Sequence, residues 1–574
     1  MPRIAVIDEK ICSPMKCQLE CIKSCPVNRL RKACIVLEEK GKKESEKAAM
    51  EISAKGDEKI NKSNAIAFID TLLCIGCGIC VKKCPFHAIE VIKWVEADEK
   101  KLVFSYGKNS FKLYNVAIPK KGIVAIIGEN GCGKTTNTKL LAGALKPERF
   151  PTKESEDYFK NSANSVVVKP QELVAPKGGE TVGEILKKMD GEEKLEELKN
   201  VFDLQTIWSR KLEELSGGEL QKVAVTASLL KEKETYILDE PFAFLDYAYR
   251  IRAIEYLKRH FREKRMLVVD HDISLLSYLC PQAYVFYGVP SVYGIVSNNY
   301  ATDRAINMFL EGEIKPENVR FRDEKIAYKH HTEERKKDVI FRINRMEVKK
   351  GDFKVSNGKE IAIYGGEIVA IAGRNGIGKS TLCSEVFGKS REKCAMKRQI
   401  LERSREMVGG VLGKGELFSE AYKRSMNLDK LAFQKMENLS GGELQKVEIF
   451  KALGEEEKTL YILDEPTNML DVTARIRLSK LLRERVNGEK AVLLVDHDLE
   501  FVHNTADRII IISGESGKEG RVEGIYDKDD GIRRLMKDFD LSYRRDEESN
   551  RLKLNKKGSK KDEELKRSDT FIEK

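Results

Sequence analysis

Two glycine-rich segments of the sequence contain the residue types that bind nucleotide phosphates. The first reads Gly128-Glu-Asn-Gly-Cys-Gly-Lys134-Thr135 and the second reads Gly373-Arg-Asn-Gly-Ile-Gly-Lys379-Ser380, and a short apolar run precedes each. In such a loop the glycines turn backbone N–H groups towards the phosphates, the lysine neutralises the β- and γ-phosphates, and the hydroxyl binds Mg²⁺. The expected nucleotide-binding residues are Gly128, Asn130, Gly131, Gly133, Lys134, Thr135 and Thr136 in the first loop, and Gly373, Asn375, Gly376, Gly378, Lys379, Ser380 and Thr381 in the second. One such loop can arise by chance, but two of them predict two ATP sites.

Downstream of each loop, an apolar run ends in a pair of carboxylates. These runs are Tyr236-Ile-Leu-Asp239-Glu240-Pro241 and Tyr461-Ile-Leu-Asp464-Glu465-Pro466. We expect the aspartate to help hold Mg²⁺ and the glutamate to polarise the attacking water as a general base. Because phosphoryl transfer depends on positioning more than on covalent chemistry, no Cys or Ser nucleophile is needed. The two pairs therefore predict ATP hydrolysis in both sites.

Nine of the 13 cysteines precede residue 85. In an intracellular chain such crowding indicates metal binding rather than disulfides, because the compartment keeps thiols reduced. The segment Cys74-x2-Cys77-x2-Cys80-x3-Cys84-Pro has the spacing of a bacterial-ferredoxin [4Fe–4S] site, whose fourth cysteine binds the other of two clusters. A looser set, Cys12-x4-Cys17-x3-Cys21-x3-Cys25-Pro, precedes it. We therefore predict two [4Fe–4S] clusters.

If the ferredoxin crossover holds, Cys12, Cys17 and Cys21 join Cys84 on one cluster, and Cys74, Cys77 and Cys80 join Cys25 on the other. Zinc is the alternative, since sets of four cysteines also suit that ion. Cys34 is left over and is expected to be a plain thiol. The four remaining cysteines are expected to act as small apolar residues; they are Cys132, Cys280, Cys383 and Cys394.

The length and composition of the chain limit its architecture. Its 574 residues suggest three or four domains of roughly 150 residues each. No apolar run approaches the roughly 20 residues that a membrane-spanning helix requires, and the N-terminal segment lacks the apolar core of a signal peptide. We therefore expect a soluble, intracellular protein of the α/β class, with two P-loop ATPase domains and a small α+β ferredoxin-like head.

The charge of the chain is positive and unevenly distributed. The net charge is +11, and a Lys/Arg-rich end runs from Arg544 through Arg567, so an acidic partner such as RNA is physically reasonable. A solvated surface explains the mixed Lys and Glu equally well. The charged segment 38–64 predicts an exposed or mobile insertion without chemistry. The tail after Arg545 is expected to be partly disordered.

Two further motifs resemble the signature of ATP-binding-cassette (ABC) ATPases. They are Leu215-Ser-Gly-Gly-Glu-Leu-Gln221 and Leu439-Ser-Gly-Gly-Glu-Leu-Gln445. Each predicts a helix start that offers a Ser hydroxyl and Gly amides to an anion. In that family the signature of one half completes the ATP site of the other half. The resemblance thus implies that Ser216 and Gly218 face nucleotide held by Lys379, while Ser440 and Gly442 face nucleotide held by Lys134.

Other residues resemble smaller elements of the ABC family. His271 and His497 each follow an apolar strand within Val-Asp-His-Asp and resemble the switch histidine that contacts the γ-phosphate. Gln171 resembles the Q-loop glutamine, and Gln399 matches it in a less typical context. Tyr106 and Phe353 resemble the aromatic residues that stack on adenine, although core packing would explain them nearly as well.

Taken together, a two-cluster head, twin cassettes and no membrane segment resemble the ABCE family, also called RNase L inhibitor proteins. Segments 286–294, 316–322 and 543–546 resemble its hinge elements. The domains expected from this resemblance are a head at 1–98, a first cassette at 99–285, a hinge at 286–335, a second cassette at 336–525, and a C-terminal hinge element and basic tail at 526–574. The chain departs from the family between Leu145 and Ser165, where a helix-loop-helix insertion that touches the small subunit looks truncated.

The resemblance implies an ATP-driven ribosome recycling factor that is also linked to translation initiation. ATP binding would close the cassettes, move the head against a release factor and separate the ribosomal subunits, after which the protein stays on the small subunit. The implied partners are the small subunit with its ribosomal RNA, a release factor or its Pelota-type paralogue, and initiation factors, with no membrane partner. The implied chain is a monomer in the cytoplasm, with the nucleus as a second location.

Two other functions remain open from the sequence alone. One is an ATP-coupled redox protein, which would need an electron-accepting site that no further Cys cluster or dinucleotide motif provides. The other is a nucleotide-switched scaffold or inhibitor that does not turn ATP over. Because both Glu240 and Glu465 are present, hydrolysis is expected in both sites.

Overall fold

Two copies of one α/β unit follow a small cysteine-rich head, and a folded tail ends the chain. The computed structural model describes residues 3–8, 11–39, 65–70, 73–93, 99–107, 110–161, 165–171, 173–175, 178–189, 192–328, 338–413, 417–549 and 551–573. Most of the charged insertion expected over 38–64 lies outside these residues. No helix within the described ranges has the length and apolarity needed to cross a bilayer.

The head contains two antiparallel strand pairs and three short helices. Its elements are β1 (Arg3–Ile7), α1 (Glu20–Ser24), α2 (Pro26–Arg29), β2 (Ile35–Glu39), β3 (Ala65–Ile69), α3 (Ile79–Lys83) and β4 (Ile89–Lys93). β1 pairs with β4, and β2 pairs with β3. Helices α1 and α3 each end at a cysteine in extended conformation, Cys25 and Cys84. The small core mixes cysteines with Ala, Val and Ile side chains, so the packing is built around the thiols.

The first cassette is an eight-stranded sheet with helices packed against it. Its strands are β5 (Leu102–Ser105), β6 (Lys112–Tyr114), β7 (Gly122–Gly128), β8 (Val166–Lys169), β9 (Thr235–Asp239), β10 (Arg265–Val269), β11 (Gln282–Val289) and β12 (Tyr293–Ala301). Its helices are α4 (Lys134–Leu141), α5 (Lys153–Asn161), α6 (Val182–Lys187), α7 (Glu192–Phe202), α8 (Gly217–Leu230), α9 (Tyr247–His260), α10 (Ile273–Leu279) and α11 (Thr302–Glu311). A short hairpin of β13 (Glu313–Ile314) and β14 (Val319–Arg320) follows.

The second cassette repeats this order and adds one strand pair. Its strands are β15 (Val339–Ile343), β16 (Met346–Lys350), β17 (Phe353–Asn357), β18 (Ile361–Tyr364), β19 (Ile368–Ala372), β20 (Cys394–Lys397), β21 (Leu460–Asp464), β22 (Ala491–Val495), β23 (Arg508–Glu515) and β24 (Glu519–Asp527). Its helices are α12 (Lys379–Lys389), α13 (Val408–Leu412), α14 (Leu417–Met426), α15 (Gly441–Leu453), α16 (Val472–Arg485), α17 (Leu499–Thr505) and α18 (Lys528–Phe539).

The two large sheets have the same strand order. They run β5-β6-β12-β11-β7-β10-β9-β8 and β16-β17-β24-β23-β19-β22-β21-β20. The strands from β11 to β8 are parallel, and β9 and β21 are buried at every position, as expected for strands covered on both faces. The carboxyl ends of parallel strands meet at one edge of the sheet. That edge brings together the phosphate-binding loop after β7, the acidic pair at the end of β9 and the segments after β8 and β10.

The C-terminal tail is folded, so the expectation of partial disorder after Arg545 is wrong for the described residues. It forms β25 (Tyr543–Arg545), β26 (Leu552–Leu554) and α19 (Lys560–Arg567). Apolar side chains spaced among the charges are buried there, including Leu552, Leu554 and Phe571. The tail also reaches the first cassette, where Ser274 Oγ of α10 donates to the carbonyl of Leu552 at 2.9 Å. The tail is rich in basic residues, but its few apolar side chains form a buried face that packs against other elements.

Candidate functional site

Each phosphate-binding loop leads into a helix whose first residue is the lysine of the motif. Helix α4 begins at Lys134 after β7, and α12 begins at Lys379 after β19. Gly133 and Gly378 precede these helices with φ of 95°, which glycine adopts without steric cost. A Cβ atom on Gly133 would also lie 2.7 Å from Cζ of Phe111. Glycine at this position therefore permits both the turn and the packing beneath it.

Each loop lysine donates hydrogen bonds to its own loop. Lys134 Nζ donates to the carbonyl of Gly128 at 2.7 Å, and Lys379 Nζ donates to the carbonyl of Gly373 at 2.9 Å. Burial lowers the pKa of Lys379 to about 8, against the opposing effect of nearby carboxylates. The two ammonium groups are thus held inside their loops, where a bound triphosphate would need them.

The aspartate expected to bind Mg²⁺ ends a buried strand in both cassettes. Burial, reinforced by the charge of Glu240, raises the pKa of Asp239 to about 7. Burial also raises the pKa of Asp464, although the Ser380 hydroxyl bonds to it. Oδ1 of Asp464 is buried and has no hydrogen-bond partner among the described residues. A hard divalent cation between this hydroxyl and carboxylate would supply the missing partner, so the residues fit Mg²⁺.

The glutamate of each pair adopts a strained backbone conformation. Glu240 has φ of 48° and Glu465 has φ of 49°, in the left-handed region that non-glycine residues rarely occupy. Such strain at a chemically competent residue persists only where the surroundings hold it. The side chain of each glutamate therefore points away from its own strand, towards the segments that follow the neighbouring strands.

A glutamine donates to each of these carboxylates, and a histidine lies beside each. Gln171 Nε2 donates to Glu240 Oε1 at 2.7 Å, and His271 Nε2 lies 3.3 Å from the same oxygen. Burial alone would raise the pKa of Glu240, but the contact with His271 and the nearby lysines outweigh it and lower the pKa. The carboxylate is therefore ionised and able to accept a proton from water.

The second cassette has the same arrangement. It includes Gln399, whose sequence context is less typical of a Q-loop. Gln399 Nε2 donates to Glu465 Oε1 at 2.9 Å, and His497 Nε2 lies 3.5 Å from it. Burial opposes ionisation of Glu465, but His497, Gln399 and Lys379 together lower its pKa to about 2. The geometry thus brings together the glutamate, histidine and glutamine of each cassette, and their roles towards the nucleotide remain predictions.

The two cassettes contact each other through their phosphate-binding loops. The backbone N–H of Asn130 donates to Asp471 Oδ2 at 2.9 Å, and the backbone N–H of Asn375 donates to Asp246 Oδ2 at 3.1 Å. A Cβ atom on Gly442 would lie 3.4 Å from Nδ2 of Asn130. The signature of the second cassette therefore lies beside the first loop, as the trans arrangement requires.

The signature serines begin their helices. Ser216 is the N-cap of α8 and Ser440 is the N-cap of α15, and each forms a capping box with the glutamate three residues later. A Cβ atom on Gly218 would lie 2.8 Å from the carbonyl oxygen of Phe244. The signature glycine is needed because the chain after the acidic pair packs directly onto the helix start.

The two aromatic residues expected at adenine occupy different positions. Phe353 Cζ would be 2.9 Å from a Cβ atom on Gly378, so this ring lies against the second loop. In the first cassette Phe111 holds the corresponding place beside Gly133. Tyr106 is half exposed and its hydroxyl lies 3.5 Å from Thr136 Oγ1. The stacking role of Tyr106 and Phe353 remains a prediction.

Sequence reasoning missed two sets of residues at these sites. Asp246 and Asp471 bind across the cassette boundary and also cap α9 and α16. Lys169 and Lys397 are buried at the ends of β8 and β20. An alignment of the two cassettes with each other could have found these residues, because each occurs at the same place in both.

The cysteines of the head fall into two spatial groups. Burial and the neighbouring thiolates of Cys12, Cys84 and Cys17 raise the pKa of Cys21 to about 12. All cysteines are free thiols, and no three Cys, His, Asp or Glu side chains of the described residues converge as a site for a single metal ion. Cys12, Cys17 and Cys84 thus lie near Cys21, and their assignment to one cluster remains a prediction.

The second group places Cys25 near Cys74, Cys77 and Cys80. Burial and the thiolates of Cys74, Cys77 and Cys25 raise the pKa of Cys80 to about 11. Cys34 is buried beside this group, and burial with the nearby Cys25 and Cys74 raises its pKa well above the usual range. Its position beside a ligand set was not predicted. The donor chemistry of eight grouped thiols fits iron–sulfur clusters.

Three family descriptions match the sequence. The ABC transporter description matches residues 111–243 and 357–468. The 4Fe-4S binding domain matches residues 67–90, and a possible Fer4-like domain in RNase L inhibitor, RLI, matches residues 2–33. The chain is therefore an ABC-type ATPase with two ATP-binding domains and an iron–sulfur head.

Several known proteins are similar over nearly their whole length. Translation initiation factor rli1 of Schizosaccharomyces pombe is 33% identical, covering 100% of this chain and 99% of the relative. An uncharacterised ABC transporter ATP-binding protein of Methanocaldococcus jannaschii is 36% identical, covering 98% of this chain and 96% of the relative. A solved structure of ribosome-bound archaeal Pelota and ABCE1 contains a chain with a TM-score of 0.87 and 34% identity, covering 100% of this chain and 99% of that one. With the paired motifs and the cysteine-rich head, these full-length likenesses show that the chain belongs to the ABCE, or RNase L inhibitor, family of twin-cassette ABC ATPases.

Proposed function

We propose that this protein is an ATP-driven ribosome recycling factor that separates the ribosomal subunits and stays on the small subunit. The observation that carries the proposal is the full-length likeness, at a TM-score of 0.87, to a chain in ribosome-bound archaeal Pelota and ABCE1. A second similar structure, at 33% identity and a TM-score of 0.75, is a complex of a ribosomal stalk protein with the archaeal ribosome recycling factor aABCE1. The link to translation initiation is supported by the relatives named as initiation factors.

The proposed partners follow from the same likenesses. They are the small ribosomal subunit with its ribosomal RNA, a release factor or its Pelota-type paralogue, and initiation factors. We place the protein in the cytoplasm, with the nucleus as a second location. The sequence places the cassettes at 99–285 and 336–525, and we extend the first cassette to Ala301 because β11 and β12 belong to its sheet.

The chemistry proposed for each site is hydrolysis of ATP. Glu240 and Glu465 accept the proton of the attacking water, and their lowered pKa values keep both carboxylates ionised. His271 and His497 orient these carboxylates and contact the γ-phosphate. Lys134 and Lys379 neutralise the phosphates, and Ser440 or Ser216 of the opposite cassette completes each site. Hydrolysis in either site therefore requires closed cassettes.

Metal ions complete this assignment. Thr135 with Asp239, and Ser380 with Asp464, would hold Mg²⁺, which neutralises charge developing on the phosphates. Two cysteine sets would hold two [4Fe–4S] clusters: Cys12, Cys17, Cys21 and Cys84, and Cys25, Cys74, Cys77 and Cys80. A head with so small an apolar core gains folding energy from bound metal, so we assign the clusters a structural role.

The testing experiment is ATP-dependent dissociation of purified post-termination ribosomes, followed by light scattering. The protein is prepared anaerobically and supplied with a matching release factor. Dissociation that needs ATP, the factor and intact clusters would support recycling. Measurable ATPase with occupied clusters but no dissociation would contradict it and favour a scaffold or inhibitor.

A further inference from the structure

A fully buried lysine lies beneath each catalytic glutamate. Lys169 is 0% exposed and Lys397 is 1% exposed. Both occupy the same register, since Lys169 pairs with Leu238 of β9 and Lys397 pairs with Leu463 of β21. Removing an ammonium group from water is costly, so a lysine buried twice at one place of a repeat needs compensating contacts.

The contacts of these lysines are the main-chain carbonyls of the acidic pair. Lys169 Nζ donates to the carbonyl oxygen of Asp239 at 2.9 Å and to that of Glu240 at 3.0 Å. Lys397 Nζ donates to the corresponding carbonyls of Asp464 at 2.8 Å and Glu465 at 3.2 Å. Each ammonium group therefore binds the main chain of the two residues whose side chains are proposed to take part in hydrolysis.

The carbonyl of Glu240 has left the sheet and accepts a long main-chain hydrogen bond from the N–H of Ala243 at 3.4 Å, so side-chain donors supply its shorter contacts. The N–H of Glu240 donates to Val269 at 2.7 Å, continuing the hydrogen bonding between β9 and β10, but its positive φ turns the carbonyl out of the ladder. A buried carbonyl without a partner is strongly disfavoured. Gln221 Nε2 of the signature helix donates to this carbonyl at 2.7 Å, beside the lysine.

The second cassette supplies the same pair of donors. Gln445 Nε2 donates to the carbonyl of Glu465 at 2.8 Å, beside Lys397. We propose that Lys169 with Gln221, and Lys397 with Gln445, are positioning residues that hold the strained backbone of the catalytic glutamate and so aim its carboxylate.

The spacing Lys-x-Gln lets one short segment hold the glutamate at both ends. Lys169 binds the main chain of Glu240, and Gln171, two residues later, donates to its Oε1 at 2.7 Å. The intervening residue is Pro170 in the first cassette and Arg398 in the second, so the spacing matters rather than the residue between.

The charge of each lysine adds to its hydrogen bonds. An ammonium donor forms stronger hydrogen bonds to the carbonyls of the acidic pair than a neutral donor would. A methionine would fill a similar volume but would neither donate nor carry charge.

The test compares steady-state ATPase activity of the full-chain double variant Lys169→Met/Lys397→Met with that of the unaltered protein. The expected result is a kcat at least tenfold lower with a KM for ATP changed less than threefold, because the phosphate-binding loops are untouched. Lys169→Arg/Lys397→Arg, which keeps charge and donors, is expected to recover much of the lost kcat. The matched control is Lys199→Met/Lys423→Met, two buried lysines of α7 and α14 that pair with Glu196 and Glu420 away from the sites.

Several results would overturn the proposal. A kcat within twofold of the unaltered protein would exclude a positioning role, and so would equal losses in the Met and control variants. Failure of the Arg variant to exceed the Met variant would also count against it. If the Met variant does not fold, Gln221→Leu/Gln445→Leu removes the other donor to the same carbonyls, and an unchanged kcat there would refute the proposal.

Discussion

The backbone N–H of Asn130 in the first cassette donates to the carboxylate of Asp471 in the second, at 2.9 Å. The partner contact, from Asn375 to Asp246, measures 3.1 Å. Each aspartate uses its other oxygen to cap its own helix, so a single side chain links a helix start to the opposite phosphate-binding loop. Each phosphate-binding loop therefore contacts the aspartate that caps a helix of the opposite cassette, and these contacts connect the two ATP sites.

Asp471→Ala is expected to lower kcat for ATP at least tenfold, because the first loop loses its contact with the second cassette. The lost helix cap should also cost about 1 kcal/mol of stability. Ser559→Ala removes a comparable cap from α19, away from the sites, and provides the control. Equal thermal shifts with full ATPase activity in both variants would show that Asp471 only caps its helix.

The buried carboxyl of Glu500, where the two cassettes meet, is expected to make the stability of the protein depend on pH. Its Oε2 accepts a hydrogen bond from Ser274 of the first cassette at 2.8 Å, while burial, against the opposing charge of Arg551, raises its pKa to about 8. The repulsive charges of Asp498 and Asp272 add to the rise.

Because the folded pKa of Glu500 lies above the unfolded value of about 4.3, the folded state binds the proton more tightly. The stability that this proton provides is complete below about pH 4 and is lost as pH rises through about 8. Glu500→Gln, which cannot ionise, should therefore raise the unfolding temperature at pH 8 more than at pH 5. An equal shift at both pH values would contradict the assigned pKa.

The cysteine sets predict which thiols hold iron. Cys25→Ser or Cys84→Ser should lose cluster absorbance and ribosome splitting together, since each removes one ligand of a set. Cys34→Ser should lose neither, although the thiol lies beside Cys25. Iron analysis and the visible spectrum of anaerobic protein provide the measurement. Full iron content with lost splitting would instead indicate that Cys25 or Cys84 serves a contact.

The folded tail predicts a stability cost for trimming its apolar face. Leu554 is buried, so Leu554→Ala should cost about 3 kcal/mol and lower the unfolding temperature. Lys556→Ala, at an exposed position two residues later, is the control and should leave it unchanged. Identical melting of both variants would support the disordered tail that composition suggested.

The sequence was most informative where chemistry demands fixed spacing. The loops around Lys134 and Lys379, the acidic pairs and the two cysteine sets follow from local patterns, because several residues of each proposed site lie within one short segment. Asp471 was missed because its partner Asn130 is 341 residues away, and no local pattern reports such a contact. Lys169 was missed because a lysine in a short strand suggests an exposed edge until the neighbouring carbonyls are placed.

The tail and the aromatic residue beside the first phosphate-binding loop show the same limit. Scattered apolar residues such as Leu552 and Phe571 are too few to reveal a buried face until the surfaces they cover are known. Tyr106 and Phe111 both precede the first loop in the sequence, and the fold places Phe111 against Gly133.

The most direct test of the account uses Glu240→Gln/Glu465→Gln in ribosome dissociation followed by sucrose gradients. This variant keeps the phosphate-binding loops but lacks the two carboxylates proposed as general bases. With ATP and the release factor, it should split ribosomes once and remain on the small subunit, with ATPase activity reduced at least a hundredfold. Undiminished ATPase activity would exclude Glu240 and Glu465 as the bases, and intact ribosomes despite bound ATP would contradict ATP-driven splitting.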